Sequence, residues 1–154
     1  MPHSKWLSLP FAAVLTALGV GGLLAQQPKT FKARLSPVPI DIAMQASVAG
    51  SGSVSAVLTG TKLALTGTFE GLRGPATIAQ VHKSPTRGVR GPVVFELTVA
   101  KGSDPTAGTI AGTFDLTALQ LADLEKGRFY VQLHSEKAPD GNLWGWLLIP
   151  ENRR

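Results

Sequence analysis

The sequence predicts an all-β domain, an antiparallel stack of short strands forming a sandwich or a closed barrel. Three observations lead there. Apolar and polar residues alternate with a period of two in most runs from Phe31 onward, which is the pattern of a strand with one buried face. Turn formers punctuate those runs, with 17 Gly and 11 Pro in 154 residues. Helical signals gather at one place only, after Thr117.

The elements follow in order. Phe31, Ala33 and Leu35 alternate with Lys32 and Arg34 before Pro37 and Pro39 end the run. Val54–Thr59 and Thr61–Phe69 read as two strands joined at Gly60, with Gly67 marking a bulge or close approach. Ala76–His82 is a further strand. Pro92–Ala100 turns Val93, Phe95, Leu97 and Val99 to one face, and Thr109–Phe114 keeps Ile110 and Phe114 in phase. Thr117 is an N-cap, and Gln120 three residues on completes a capping box. Leu116 and Leu121 form a hydrophobic staple and Gly127 stops the helix, giving about Ala118–Lys126. Arg128–Ser135 and Asn142–Ile149 are the arms of a last hairpin, with Pro139-Asp140-Gly141 as its predicted turn.

Length sets the scale at one domain. The absence of cysteine excludes a disulfide framework, a thiolate metal site and a cysteine nucleophile. Residues 1–25 read as a signal peptide: Lys5 supplies the basic start, Phe11–Ala25 is nearly all apolar, and Ala25 precedes the expected cut. An uncleaved anchor is the alternative, because Trp6–Ala25 has about the length of a bilayer span. Residues 26–30 then form a linker, 31–150 the domain and 151–154 a tail. Cleavage removes Lys5 and leaves 14 basic against 10 acidic side chains. The chain is expected to be exported, periplasmic or secreted, and to hold its fold without disulfides.

Four segments resemble the CHRD domain, the module repeated in chordin and found alone in bacterial exported proteins. They are Phe69-Glu70-Gly71-Leu72-Arg73-Gly74-Pro75; Ala79-Gln80-Val81-His82 with Gly91-Pro92-Val93-Val94; Leu116-Thr117 with Leu121 and Leu124-Glu125-Lys126-Gly127; and Tyr130–Ser135 with Pro139-Asp140-Gly141-Asn142-Leu143-Trp144-Gly145. Their order and spacing hold over about 31–150. The resemblance implies an antiparallel β-sandwich of immunoglobulin-like or superoxide-dismutase-like outline, with one short helix. It implies little about activity. The chain departs from the family pattern at polar positions, with Gln80 for a histidine, Gln132 for an asparagine, Asn142 for a glutamate and Trp144 for an arginine.

The chemistry available is sparse. No G-x-S-x-G elbow, paired carboxylates or glycine-rich phosphate loop occurs, so no catalytic residue is assigned and the protein is expected not to be an enzyme. His82 and His134 lie on separate strands, and Gln80 shares the face of His82. If those strands adjoin, the two imidazoles become candidate copper or zinc ligands with Gln80 beside them. Two histidines fall short of the usual ligand count, so the expectation is no cofactor and two structural histidines. Lys83, Arg87 and Arg90 make the densest basic run, and Trp144 and Trp146 alternate on the last strand. These five are the candidate partner contacts. The expected partner is a protein or an anionic envelope or extracellular component, such as a polysaccharide, phospholipid headgroup or acidic protein. Nucleic acid is not expected, because no aromatics interleave with the basic run. Membrane contact is expected only through an uncleaved N-terminus. The sequence reads as a non-catalytic exported binding or structural module of the cell envelope or extracellular space. The alternative is a copper/zinc-binding, superoxide-dismutase-like protein using His82 and His134.

Overall fold

The computed structural model describes residues 27–150. The predicted signal segment, residues 1–25, and the tail, 151–154, lie outside the described residues. Eight strands, one α-helix and one short 3-10 turn follow one another: β1 (Lys29–Pro37), the 3-10 turn (Ala43–Ala46), β2 (Ser51–Thr59), β3 (Lys62–Glu70), β4 (Ala76–Lys83), β5 (Val93–Lys101), β6 (Gly108–Asp115), α1 (Ala118–Glu125), β7 (Phe129–Ser135) and β8 (Ala138–Trp146). The all-β expectation holds, and each predicted strand is present within a few residues.

The strands form one closed antiparallel barrel in the order β1-β2-β3-β6-β5-β4-β7-β8. The expectation of a sandwich is refined here, and the reason lies in two strands. The first half of β1 pairs with β2, through Lys29↔Leu58 to Leu35↔Gly52, while its end pairs with β8 at Ser36↔Trp144 and Pro37↔Leu143. β5 divides in the same way. Its start pairs with β4, at Val81↔Phe95 and Ala79↔Leu97, and its end with β6, at Thr98↔Ala111 to Lys101↔Gly108. Two sheets are thereby sewn together at both sides. Closure gives every strand a neighbour on both sides for at least part of its length, so no strand presents a full edge of free N–H and C=O groups for another chain to extend. Alternation along a strand is identical in an open sandwich and a closed barrel, which is why periodicity could not separate them.

Alternation does determine the core. Phe31, Ala33 and Leu35 from β1, Leu63 and Leu65 from β3, Val81 from β4, Ile110 from β6, and Phe129, Val131 and Leu133 from β7 fill the barrel. Lys32 and Arg34 point outward in the exposed half of the β1 pattern. The glycine at Gly67 marks a close approach, since a Cβ there would meet Ser53 O and the side chains of Val54 and Ile110.

The helix forms as its caps dictate. Gln120 N–H donates to Thr117 Oγ1 at 3.3 Å, and Thr117 N–H donates to Gln120 Oε1 at 2.8 Å. That reciprocal box satisfies two donors left free at a helix start. Gly127 follows the C-terminus with φ +66°, where a side chain would be strained. Leu116 and Leu124 are buried in the barrel core and Leu121 packs against it, so α1 closes one barrel end while the chain crosses from β6 to β7.

The last hairpin corrects the sequence reading. Its turn is Glu136-Lys137, with Ser135 paired to Ala138. Pro139, Asp140, Gly141 and Asn142 lie between the Ser135↔Ala138 and Leu133↔Leu143 rungs, opposite the single residue His134. The Pro-Asp-Gly turn chemistry is thus used to loop a strand outward, with Gly141 at φ +127°.

Leu124 and Leu119 test the placement of α1. Leu124→Ala should destabilise the protein by about 3 kcal/mol, because it leaves a cavity at the barrel end. Leu119, which is 67% exposed, should cost less than about 0.5 kcal/mol as the same substitution. Denaturant unfolding of the two variants measures the contrast.

Candidate functional site

The feature that needs a functional account lies outside the barrel. β7 is buried along both faces. Its inward residues belong to the core, and Tyr130, Gln132 and His134 face the other way. On the neighbouring strand Ala79 and Val81 are in the core, which leaves Gln80 and His82 on the same outer surface. Register places His82 beside Tyr130 and Gln80 beside Gln132. β8 adds Trp146 opposite Tyr130 and Trp144 opposite Gln132. The two predicted histidine strands therefore adjoin, and the predicted tryptophans lie on the same sheet face.

Two loops roof this surface. The segment between β1 and β2 covers one side, where Val38 and Val48 form a small second core with Ala138, packed against Met44 and Trp144. The connection between β4 and β5 covers the other. Ser84 anchors it: its N–H donates to Arg128 O at 2.8 Å and its hydroxyl to Val89 O at 2.5 Å. Gly91 brings this loop hard against the sheet, since a Cβ there would lie 1.8 Å from Lys83 O. Gly91 N–H donates to Tyr130 Oη at 3.1 Å.

Both imidazoles are oriented by the roof. His82 Nδ1 lies 2.9 Å from Gly91 O, and His134 Nδ1 lies 2.7 Å from Pro139 O. A carbonyl oxygen only accepts, so Nδ1 carries the proton in each ring and the neutral form leaves Nε2 as a bare lone pair. Both Nε2 atoms are buried without a partner. Gln132 Nε2 donates to Asp140 O at 3.0 Å, and its Oε1 is likewise buried and unpartnered. Arg90 Nη1 also donates to Asp140 O, at 2.6 Å, which latches the β4–β5 loop onto the Pro139–Asn142 bulge. The His82 ring stacks on Tyr130 at 4.9 Å, and Tyr130 stacks on Trp146 at 5.0 Å.

Burial lowers the His82 pKa below its ordinary 6.5, against the hydrogen bond to Gly91, and the charges of His134 and Arg90 act in the same direction as burial.

The other predicted contacts separate. Lys83 does not extend into a free basic loop. Its ammonium lies 2.6 Å from Asp123 Oδ2, and Arg128 Nη1 donates to Asp123 Oδ1 at 3.0 Å. Asp123 is buried on α1, so this ion-pair trio ties the helix to the end of β4. The Lys83 ammonium, with Arg128, holds the Asp123 carboxyl below its ordinary value despite the opposing effect of burial. Arg90 is committed to the latch. Arg87 alone of the basic run lines an open groove, with Lys32, Arg34 and Ser36 of β1 and with Trp144 and Trp146. Trp144 and Trp146 are partly buried on this outer face and contact each other at 4.7 Å between ring centroids. Sequence reasoning missed Lys32 and Arg34 because nothing local says that β1 closes onto β8. It named Gln80 as the neighbouring amide, whereas the more deeply buried one is Gln132, whose alternation with Tyr130 and His134 was the available signal. Ser84 and Ser135 are engaged elsewhere, Ser135 Oγ donating to Asn142 Oδ1 at 3.2 Å.

With this geometry in place, comparison with known proteins supplies the context. The family profile described as CHRD domain matches residues 31–147. The chain belongs to the CHRD family. Membership in the CHRD family supports a non-enzymatic module of a broad kind. The CHRD match spans the strands from β1 to β8 and therefore includes the outer surface and its roof. No curated protein and no solved structure matches the chain. Among the described residues no helix is long and apolar enough to cross a membrane.

The lowered His82 pKa has a consequence for stability. In the unfolded chain His82 takes up its proton near 6.5, and in the folded chain only at a lower pH. Stability should therefore be full above about pH 7 and fall as the pH drops through 6.5, levelling off below the folded value. His82→Gln should remove that part of the pH dependence. Urea unfolding of both proteins from about pH 8 to about pH 5 checks it.

Proposed function

We propose that the protein is an exported, non-catalytic binding module of the cell envelope or extracellular space, and that it receives an anionic partner in the groove between β1 and the β4–β5 loop. One observation carries this reading. Lys32, Arg34 and Arg87 come from distant parts of the chain and meet around the exposed edges of Trp144 and Trp146, and among the described residues none of the three has a carboxylate at ion-pair distance.

The ladder explains the juxtaposition. Ser36 pairs with Trp144, and Lys32 bridges to Leu148, so Arg34 lies across from Trp146. Like charges gathered on one side of a groove raise the local concentration of an anion and speed its capture. Tryptophan beside them adds flat apolar area for a sugar ring or an acyl-proximal headgroup and favours cations through its ring face. The guanidinium groups of Arg34 and Arg87 match carboxylate, sulfate or phosphate oxygens in a paired geometry that lysine lacks. The expected partner is an anionic polysaccharide of the surroundings into which the chain is exported.

Dextran sulfate against neutral dextran is a direct probe. The protein should bind the sulfated polymer, with affinity falling steeply as salt rises and the Debye length shrinks from about 10 Å to about 3 Å. Replacing Lys32, Arg34 and Arg87 together by glutamate should reduce binding on the order of tenfold or more without loss of thermal stability, since all three side chains project from the barrel surface. Binding that is indifferent to salt, or retained by the triple variant, contradicts the reading.

A further inference from the structure

The chain past Trp146 stays against β1. Lys32 N–H donates to Leu148 O at 2.8 Å, and Leu148 N–H donates to Lys32 O at 3.0 Å. Two rows result, matched rung by rung. Ser36, Arg34 and Lys32 face outward along β1, and Trp144, Trp146 and Leu148 lie beside them. All three apolar residues of the second row are only partly buried. Residues on one face of a strand repeat every second position, about 7 Å apart. A polar or cationic group therefore sits beside an apolar one at a regular interval along this surface.

The open space follows the rows. A depression of about 280 Å³ holds the tryptophan end, and one of about 750 Å³ lies beyond it. The two share Lys32, Arg34, Arg87 and Leu148, so they form one continuous cleft. The larger depression adds Lys126, from the end of α1, and an apolar rim of Ile149 and Pro150. Gly127 lets the helix end come this close, since a Cβ there would meet Leu148 Cδ2 at 2.8 Å. Among the described residues Lys126, like Lys32, Arg34 and Arg87, has no carboxylate at ion-pair distance. The one carboxylate on the lining, Glu125, is paired with Lys29. A helix C-terminus ordinarily disfavours an anion. Here the carbonyls of Ala122, Asp123 and Leu124 already accept backbone bonds.

We infer that the cleft holds an extended chain bearing several anionic groups, a sulfated or uronate polysaccharide, which lies along β1 and reaches from Trp144 to a second subsite at Lys126. This rests on the anionic groove described above and extends it. A single anionic group would be served by one cationic pocket, whereas these cations are spread along a cleft at the strand repeat. A sugar ring has an apolar face and polar edges. It rests on the Trp144, Trp146 and Leu148 row while its sulfate or carboxylate meets the Arg34 and Lys32 row. A cleft walled by the β4–β5 loop and the end of α1 admits a chain rather than a flat bilayer surface. Once the tryptophan end is occupied, filling the Lys126 end with the same chain is an intramolecular step, so affinity climbs with ligand length.

The test titrates the full chain with sulfated malto-oligosaccharides of increasing length, at about 0.15 M salt, where charges more than about 8 Å apart are largely screened. Affinity should rise on the order of tenfold or more between an oligomer that covers only the tryptophan end and one that fills the cleft. Lys126→Glu should remove that rise and cost the short oligomer far less. Lys101→Glu makes the same charge change at the end of β5, on neither depression, and should keep the rise. Equal affinity for short and long oligomers overturns the second subsite while leaving the groove standing. So does a loss in Lys126→Glu shared equally by both lengths, or matched by Lys101→Glu. No binding at any length removes the subsite and the groove together. Tighter binding to vesicles of phosphatidylcholine and phosphatidylglycerol than to the longest oligosaccharide also overturns the inference.

Discussion

The whole arrangement depends on the two strands that belong to two sheets. β1 leaves β2 for β8 at Ser36, and β5 leaves β4 for β6 at Thr98. These two transfers close the barrel, so a chain without a disulfide needs no other staple to keep its sheets in register. The same transfer at β1 sets Lys32 and Arg34 beside Trp146 and Trp144. A structural solution to the edge problem thus also composes a surface. Glycine makes the crossing feasible: a Cβ at Gly145 would lie 2.3 Å from Arg34 O, so no other residue lets β8 come that close to β1.

A second consequence concerns the outside of the barrel. In an open two-layer sheet, outward residues such as Tyr130, Gln132 and His134 meet water. Here two loops fold over them, and β7 is buried on both faces. Burial turns ordinary polar side chains into costly ones, on the order of 1–3 kcal/mol for each atom left without a partner. The roof answers part of this cost with backbone groups: Gly91 O, Pro139 O and Asp140 O each accept a bond from the cluster. The bulge at Pro139–Asn142 is what supplies two of those three carbonyls. Its other bonds show how firmly it is held, with Asn142 Nδ2 donating to Ala49 O at 2.6 Å and Val38 N–H to Asn142 O at 3.0 Å.

Much of the fold was legible from the residues, for reasons specific to each element. The capping box and staple of α1 are local chemistry, and they appear as read. Strand alternation is also local, and it places Phe31, Leu63, Val131 and Leu133 inside. Closure and site composition are not local. Pro139-Asp140-Gly141 has the residues of a hairpin turn, yet the turn forms three residues earlier at Glu136-Lys137, because strand register is decided by which faces are buried. His82 and His134 were legible as a pair once their strands were known to adjoin. Lys83 was misread as a loop cation because its partner, Asp123, lies 40 residues away in sequence on α1. Gln132 stood in plain view on the right face, but an amide draws notice only when burial leaves its oxygen alone.

The central claim is that the roof orients both imidazoles through Nδ1–H, to Gly91 O and Pro139 O, and leaves Nε2 without a partner. Long-range ¹H–¹⁵N correlation spectra of the metal-free protein near pH 8 read the tautomer of each ring directly. The account predicts the Nδ1–H form for both His82 and His134, with Nε2 at the shift of an unprotonated, unbonded nitrogen. An Nε2–H tautomer in either ring would contradict it, because that ring could not then donate to its carbonyl or present a lone pair to the cluster.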